Sequence, residues 1–348
     1  MSVVAAFLVA GAVVLAIGEN PLVATRLLIE GSLGSGEGLG FTLFYATDFI
    51  FTGLAVAVAY HAGLFNIGAE GQATLGGLGA TLVCLHAPWL PAIVLIPLAV
   101  LAAAAFGAAW AFLPGYLQAR RGSHVVITTI MFNWLATLLM VYLLVNVLRE
   151  PSSMNPETRS LPQAAHIPFI HDVLGLVGVS APASQLNLSI LLALASAGAV
   201  WLLVYRSRLG YAIRVVGVNP AAAVYAGISP ARIAMVTMSV SGALASGLAV
   251  NEIMGYQHRL ILEFTAGYGF VGIAVALMGR AHPIGIVLAA LLFGMLYQGG
   301  AELAFAQPKI TRDMVVVIGG IIILFAGALD GLFRGLLRRV PRGRAAEA

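Results

Sequence analysis

Residues 63–79 read Gly63-Leu-Phe-Asn-Ile-Gly-Ala-Glu-Gly-Gln-Ala-Thr-Leu-Gly-Gly-Leu-Gly79 and open an apolar stretch that continues to residue 86. A stretch with this many small residues predicts a helix that can pack closely on its neighbours and can bend. Glu70 stands inside this run, and a carboxylate costs about 2.5–3.5 kcal/mol to place within a membrane span. Glu70 therefore needs a partner or a wet cavity.

Residues 63–79 are called the signature segment, and five of its residues are candidate functional residues: Asn66, Gly68, Glu70, Gly71 and Gln72. One interpretation is a broken or kinked helix beside a transport pathway or a coupling surface. The other is a packing helix whose glutamate lies at the level of the lipid headgroups. An interface or structural role is favoured over direct contact with a substrate.

The composition of the whole chain indicates a membrane protein. Of 348 residues, 60% are hydrophobic and only 9% are charged, whereas about 25% are charged in soluble domains. The apolar residues form long runs, which excludes a soluble enzyme, a disordered chain and a coiled coil. Runs of about 20 residues cross a bilayer as helices, and a barrel would need alternating residues. The predicted fold class is all-α, a polytopic helical bundle.

Ten transmembrane helices are predicted. Their approximate bounds are 2–18, 43–60, 67–86, 90–113, 124–148, 187–205, 232–250, 264–279, 283–299 and 314–331. An even number places both termini on one side, and the connections on that side contain twelve of the 18 Arg and Lys residues. Because positively charged connections face the cytoplasm, we predict an inner-membrane bundle with both termini cytoplasmic.

The connections are too short for a soluble domain, so residues 1–348 are predicted to form a single transmembrane domain. Residues 149–186 are predicted as an external loop, 206–231 as a cytoplasmic loop and 332–348 as a basic cytoplasmic tail. The sequence contains no Gly-x-x-x-x-Gly-Lys-Ser/Thr motif for binding ATP. We therefore predict that the chain is not an enzyme and itself binds neither a cofactor nor a metal.

A short helix is predicted within the cytoplasmic loop, because Asn219 and Pro220 suit its start and Gly227 suits its end. Its exposed face would present small apolar residues suited to a groove on a partner protein. Alternatively, the helix rests on the headgroups and the flanking arginines bind anionic lipid. The candidate docking residues are Asn219, Pro220, Ala223, Tyr225, Gly227 and Ile228.

Four polar residues in or near the predicted spans are candidates for lining a pathway: Asp48, Asn133, Glu252 and Glu302. The three acids are expected near the ends of spans, toward the outer face, where they would line a vestibule or simply lie at the interface. The second interpretation is favoured. The Gly-rich stretch 265–285 is similar in texture to the signature segment, which hints at an internal repeat. No paired carboxylates and no metal-ligand spacing stand out in the sequence.

Gly63-Leu-Phe-Asn-Ile-Gly-Ala-Glu-Gly-Gln72 resembles the signature of permease subunits of bacterial nucleoside-type ABC importers. These permeases belong to a group that also contains ribose and branched-chain amino-acid permeases. Val216-Gly-Val-Asn-Pro-Ala-Ala-Ala-Val-Tyr-Ala-Gly-Ile228 resembles the cytoplasmic coupling segment of that group, and residues 265–294 resemble its later spans. The run from Asn66 to Gln72 is the most specific and favours the nucleoside branch. The chain departs from the family at Thr47-Asp48, where Thr-Pro is frequent.

The resemblance implies a permease subunit of an ATP-driven importer that forms the path for a nucleoside or a simple sugar. It further implies a second permease subunit, homologous or identical, a cytoplasmic ABC ATPase that carries ATP and Mg, and a periplasmic or lipid-anchored binding protein. Membrane lipid is an expected partner and nucleic acid is not. The alternative is a secondary transporter driven by an ion gradient, which needs ionisable residues paired near the bilayer midplane. Acids at the ends of spans favour the ATP-driven importer.

Overall fold

The computed structural model describes residues 11, 12, 14, 15, 18–151, 153–307, 309, 314, 317 and 320. Within these residues the regular structure is helical, apart from two isolated β-bridges. In chain order the helices are α1 (Pro21–Leu33), α2 (Gly36–His61), α3 (Ala69–His86), α4 (Ala92–Arg121), α5 (Val125–Asn146), α6 (Ile170–Leu176), α7 (Ser189–Arg206), α8 (Arg208–Val218), α9 (Pro220–Tyr225), α10 (Pro230–Gln257), α11 (Tyr268–Met278) and α12 (Pro283–Ala306). The end of α10, Val250–Gln257, has π-helical hydrogen bonding.

Six of these helices are long and apolar enough to cross a membrane, namely α2, α4, α5, α7, α10 and α12. The shortest has 18 residues, which rise about 27 Å and match a hydrocarbon core of roughly 30 Å. The chain is therefore a multi-pass helical membrane protein, as predicted. The predicted spans 2–18 and 314–331 fall largely outside the described residues, and the tail 332–348 falls entirely outside them. The total of ten spans and the side of the termini stay predictions.

Several helices differ in their bounds from the predicted spans. The predicted span 264–279 is helical only over α11, whose 11 residues rise about 16 Å and cannot cross a bilayer alone. The backbone before α11 has positive φ at Glu263, Ala266 and Gly267, which is incompatible with a continuous right-handed helix. In addition, α2 begins at Gly36, not near 43, and α10 continues to Gln257, not to 250.

Residues 39–294 form one compact unit, and α3 lies in its interior. This helix packs against α4, α5 and α10, and most of its residues are buried. Helices α4 and α10 share an extensive contact. Where these two cross, Gly242 lies so close to the Gly107 carbonyl that no side chain would fit. Small residues thus allow direct backbone contact between membrane helices.

The described residues up to 38 and from 295 onward form a second compact unit. It contains α1, which is an addition to the predicted helices and is capped by the side chain of Asn20. Glu302, a candidate pathway residue, packs against Gly31 in this unit. Its Oε1 accepts a hydrogen bond from Gln298 Nε2 at 3.3 Å. Glu302 therefore has its own contacts within this unit.

Candidate functional site

Two amide side chains of the signature segment face each other at the start of α3. Asn66 Nδ2 donates to Gln72 Oε1 at 2.9 Å, and Gln72 Nε2 donates back to Asn66 Oδ1 at 3.0 Å. Asn66 Oδ1 also accepts from the Gly68 N–H at 2.8 Å. Both amide side chains are buried. This reciprocal pair sets the turn from which α3 begins.

Asn66 also connects the signature segment to two other helices. Its Nδ2 donates to Ser241 Oγ of α10 at 2.7 Å, and that hydroxyl donates to the Ala55 carbonyl of α2 at 2.6 Å. Each polar atom of the Asn66 amide therefore has a partner inside the protein, as a buried amide requires. The network ties α2 and α10 to the start of α3.

Asn133 of α5 binds the same segment through backbone groups. Its Nδ2 donates to the Ile67 carbonyl and its Oδ1 accepts from the Gly71 N–H, both at 2.9 Å. A Cβ on Gly71 would lie 2.9 Å from the Asn133 Cα, so the close approach of α3 and α5 requires glycine there. Asn133 thus holds two helices together, and its amide groups are already occupied.

The carboxylate of Glu70 binds the backbone at the start of α11. Its Oε1 accepts from the Gly267 N–H at 2.9 Å, its Oε2 accepts from the Gly269 N–H at 2.8 Å, and the Thr265 hydroxyl bonds to it as well. N–H groups in the first turn of a helix lack partners within the helix and stabilise negative charge. The partner that Glu70 needs is therefore the stretch 265–269. The two Gly-rich segments of the sequence meet at this contact.

A cavity of about 610 Å³ lies beside Glu70. Its walls come from α3, α5, the irregular residues 262–267 and the first turn of α11. Two aromatic side chains, Trp134 and Phe270, line it and are 66% and 47% exposed. The hydroxyl groups of Thr74 and Thr137 also belong to the lining. The cavity thus combines flat apolar surfaces with a few hydrogen-bonding groups.

Two buried acids that the sequence did not predict to meet lie together elsewhere in the unit of residues 39–294. Asp48 and Glu252 lie close enough to interact with each other, and both are buried. Asp48 Oδ1 accepts from Asn251 Nδ2 at 2.9 Å. Asn251 Oδ1 in turn accepts from Asn187 Nδ2 at 3.0 Å and from Ser189 Oγ at 2.6 Å. In the described part of the chain, no basic residue forms an ion pair with either acid.

The expectation that these two acids lie near the ends of spans is wrong for Asp48, whereas Glu252, the 23rd of the 28 residues of α10, does lie toward the end of its helix. Asp48 is the thirteenth of the 26 residues of α2, because the helix starts earlier than its predicted bound. Glu252 lies in the π-helical part of α10, beyond the predicted end of that span. The acid at position 48, where the family often has proline, was the one signal available in the sequence. The positions of the acids therefore do not argue against a gradient-driven transporter.

The short helix predicted in the loop 206–231 is present as α9. Asn219 Oδ1 accepts from the Ala222 N–H at 3.0 Å, and Pro220 is the first helical residue. Gly227 follows the helix with a left-handed φ of 73°, a conformation that favours glycine. The start and end signals read from the sequence are therefore confirmed.

The face that α9 exposes agrees with the expectation except at two candidates: the small residues Ala221, Ala222 and Ala226 are exposed, as are Asn219, Pro220, Tyr225 and Gly227. Ala223 is fully buried in a cluster with residues of α2, α5, α8 and α10, and Ile228 packs against that cluster. These two candidate docking residues hold α9 onto the protein and are turned away from a partner. The large exposed residues of this region are Val218, Val224 and Tyr225, of which Tyr225 is 95% exposed.

The structure thus gathers the candidate residues into separate groups. The signature residues share one network with Asn133, Asp48 pairs with Glu252, and Glu302 belongs to the other unit. Ser241, Thr265, Trp134 and Phe270 complete the surroundings of the signature segment and were missed. The position of Trp134 near the middle of the predicted span 124–148 was a signal in the sequence, whereas the other three are common membrane residues with no distinctive spacing.

Comparison with known proteins identifies the family. The model of the family described as branched-chain amino acid transport system / permease component matches residues 38–327. The chain is 36% identical to the glucose ABC transporter permease protein of Haloferax volcanii, over 93% of this chain and 85% of that protein. It is 33% identical to the nucleoside ABC transporter permease protein NupB of Lactococcus lactis subsp. cremoris, over 100% and 94% of the two chains. It is 35% identical to the guanosine ABC transporter permease protein of Bacillus subtilis, over 92% and 90%. This multi-pass helical chain therefore belongs to the family of branched-chain amino acid transport system permease components.

Proposed function

We propose that this chain is the permease subunit of an ATP-driven importer and forms half of the path of a nucleoside across the bacterial cytoplasmic membrane. The observation that carries the proposal is its similarity, over nearly its whole length, to ABC permeases named for nucleosides and guanosine. The run from Asn66 to Gln72 favours the same branch. A simple sugar is the second substrate class, because another relative is named for glucose.

The importer would contain three kinds of partner. A second permease subunit, homologous or identical to this chain, would form the other half of the path. A cytoplasmic ABC ATPase would bind ATP and Mg, since this sequence has no phosphate-binding loop. A periplasmic or lipid-anchored binding protein would deliver the substrate from outside, toward the side of the predicted external loop 149–186.

The ATPase would dock on α9, with Tyr225 and Val224 as the exposed anchors. A displacement of α9 would reach α10 through the buried cluster around Ala223, which includes Met238. Helix α10 also carries Ser241, the partner of Asn66. Nucleotide binding on the partner would thus act on the signature network through two packed helices.

Two substitutions on opposite faces of α9 test this docking. Tyr225→Arg should leave the amount of chain in the membrane unchanged and reduce recovery of the ATPase with the tagged chain more than about tenfold. Ala223→Arg should reduce the amount of folded chain itself, because it buries an unpaired charge. Val179→Arg, an exposed position in the predicted external loop, is the matched control. Normal ATPase recovery and normal uptake with Tyr225→Arg would contradict docking on α9.

One observation favours the gradient-driven transporter as a second candidate, namely the buried pair of Asp48 and Glu252. Paired ionisable groups inside a membrane protein often mark a path for protons or ions. Uptake that persists with an uncoupler but stops on ATP depletion supports the importer. Uptake with the opposite dependence supports the second candidate.

A further inference from the structure

The cavity beside Glu70 is well defined, and the hydrogen bonds of the signature segment do not explain what it is for. Its volume of about 610 Å³ falls within the roughly 300–1,000 Å³ typical of small-molecule sites. We propose that this cavity binds the transported solute on its way through the chain and accepts an uncharged nucleoside by stacking its base on Trp134 and Phe270. The inference rests on the proposed import function and adds the place and chemistry of binding.

Trp134 has an uncommon position for a tryptophan in a membrane helix. It is the tenth of the 22 residues of α5, so it lies roughly 14 Å from the start and 18 Å from the end of the helix. Tryptophan is enriched at the level of the headgroups, not in the middle of a span. This indole instead lines a cavity with most of its surface exposed. A flat ring in that position is suited to stacking on a base.

Phe270 reaches the cavity because the backbone before it is held in an unfavourable conformation. Glu263 and Ala266 have φ values of 56° and 46°, and such conformations are strained for residues other than glycine. Glu70 holds this segment through two backbone N–H groups. Glu70 is therefore a positioning residue, since both of its oxygens are occupied and Phe270 supplies the contact.

The lining has few free hydrogen-bonding groups, which suits a neutral solute that is held mainly by apolar contacts. The Thr74 and Thr137 hydroxyls donate to backbone carbonyls of their own helices at 2.9 and 3.2 Å. Each hydroxyl oxygen can still accept a hydrogen bond from a solute. The amide of Asn133 already makes two hydrogen bonds to the backbone, so the lining offers few free polar groups to a sugar such as glucose, which has hydroxyls around the whole ring and no flat apolar face to stack.

The charge of the lining excludes phosphorylated solutes. Glu70 and Glu263 are the charged members of the described lining, and both are acids. A phosphate group entering this space would meet like charge without a basic partner. A nucleoside fits where the corresponding nucleotide does not.

The test places a thiol in the cavity of the purified complex of this chain with its second permease and its ATPase. Thr137→Cys is combined with Cys84→Ala, because Cys84 is the one cysteine of the chain and is buried. The rate of reaction with a small water-soluble thiol reagent is measured alone and with guanosine, uridine, guanosine monophosphate or glucose. Leu138→Cys, in the same background, is the matched control, since Leu138 is 64% exposed and does not line the cavity.

Guanosine or uridine should slow modification at Thr137→Cys and leave Leu138→Cys unchanged, whereas guanosine monophosphate and glucose should protect neither. Trp134→Ala should raise the nucleoside concentration for half-protection roughly tenfold, and Trp134→Phe should largely restore it. ATPase recovery and the rate at Leu138→Cys report whether a variant is folded.

The outcomes separate the inference from the function on which it rests. If a complex that imports nucleosides shows no protection by them, or protection by glucose instead, the inference is overturned while the import function stands. If the wild-type complex imports no nucleoside, the proposed substrate class fails and the inference fails with it.

Discussion

Two acidic sites in residues 39–294, a half-buried one at Glu70 and a buried one at Asp48 and Glu252, solve the same physical problem in different ways. Glu70 directs both oxygens to backbone N–H groups at the start of α11. Asp48 instead faces a second acid, Glu252, with Asn251 as its neighbour. Burying a carboxyl group requires that its lost hydration be replaced. The first site replaces hydration with backbone donors, and the second with another carboxyl group and an amide.

The difference predicts different tolerance to substitution. Backbone N–H groups can only donate, so both Glu70 oxygens must accept, which matches an ionised carboxylate. Two facing carboxyl groups without a cation can carry only one negative charge and share a proton. An amide can therefore take the place of one acid in the pair, whereas an amide at position 70 would turn a donor toward a donor.

The largest expected effect is that of Glu70→Ala. It leaves the N–H groups of Gly267 and Gly269 without partners, and hydrogen bonds to charged groups contribute about 1.5–3 kcal/mol each. We expect a loss of roughly 3–6 kcal/mol in unfolding free energy and a smaller loss for Glu70→Gln, which keeps one acceptor. Thermal unfolding in detergent measures this loss, with Glu263→Gln as an exposed control. Equal stability of Glu70→Ala and the control would contradict the assigned role.

An intermediate effect is expected from a histidine pair outside the spanning helices. The rings of His166 and His258 stack with centroids 3.7 Å apart. The Leu161 N–H donates to the His258 carbonyl at 2.7 Å, which attaches the loop 149–186 to the end of α10. Burial, together with the charge of His166, lowers the pKa of His258. The folded state therefore takes up a proton less readily than the unfolded chain does.

The attachment of this loop should accordingly be fully stable above about pH 6.5 and weaken as the pH falls below that value, by at most about 1.4 kcal/mol per pH unit. Hydrogen exchange of the Leu161 N–H between pH 5 and 7.5 reports it, after correction for the intrinsic exchange rate. His258→Asn should remove the pH dependence, because it removes the titrating group, whereas His166→Phe should reduce it only in part, because His258 stays buried. The same pH dependence in His258→Asn as in the wild type would assign the effect to another group.

The smallest effect is expected for Asp48→Asn or Glu252→Gln. Each replaces one member of a proton-sharing pair by an amide of the same shape, so the change in unfolding free energy should stay within about 1 kcal/mol. The same thermal assay applies, with Glu70→Gln measured alongside. A loss at position 48 or 252 as large as that of Glu70→Ala would show that the pair is charged and bound to a cation.

The comparison of the two sites also shows which features of the structure the sequence could predict. Local signals were sufficient for α9, because Asn219, Pro220 and Gly227 act through their own backbone neighbourhood. The long apolar helices followed from hydropathy alone. The need of Glu70 for a partner was predictable from the cost of a carboxylate in a span, but the identity of the partner was not.

Long-range placement explains what the sequence did not reveal. The partner of Glu70 lies nearly 200 residues away along the chain, and Asp48 and Glu252 are equally distant. The helix start misjudged at Gly36 moved Asp48 toward the apparent end of its span, and the end misjudged at Gln257 left Glu252 outside its predicted span. The side of α9 that is buried depends on the helices packed against Ala223, which no pattern within a six-residue helix indicates.

The most direct measurement of the central claim is ATP-driven transport of guanosine in proteoliposomes that contain the chain with its second permease and ATPase. The ATPase faces outward, and MgATP is supplied outside. The binding protein and labelled guanosine are enclosed in the lumen, and no ion gradient is imposed. Movement of guanosine from the lumen to the outside, which is the side of the ATPase, is followed. We expect that guanosine moves only when ATP is supplied and that Tyr225→Arg abolishes this movement. Movement that ignores ATP and follows an imposed proton or sodium gradient would contradict it.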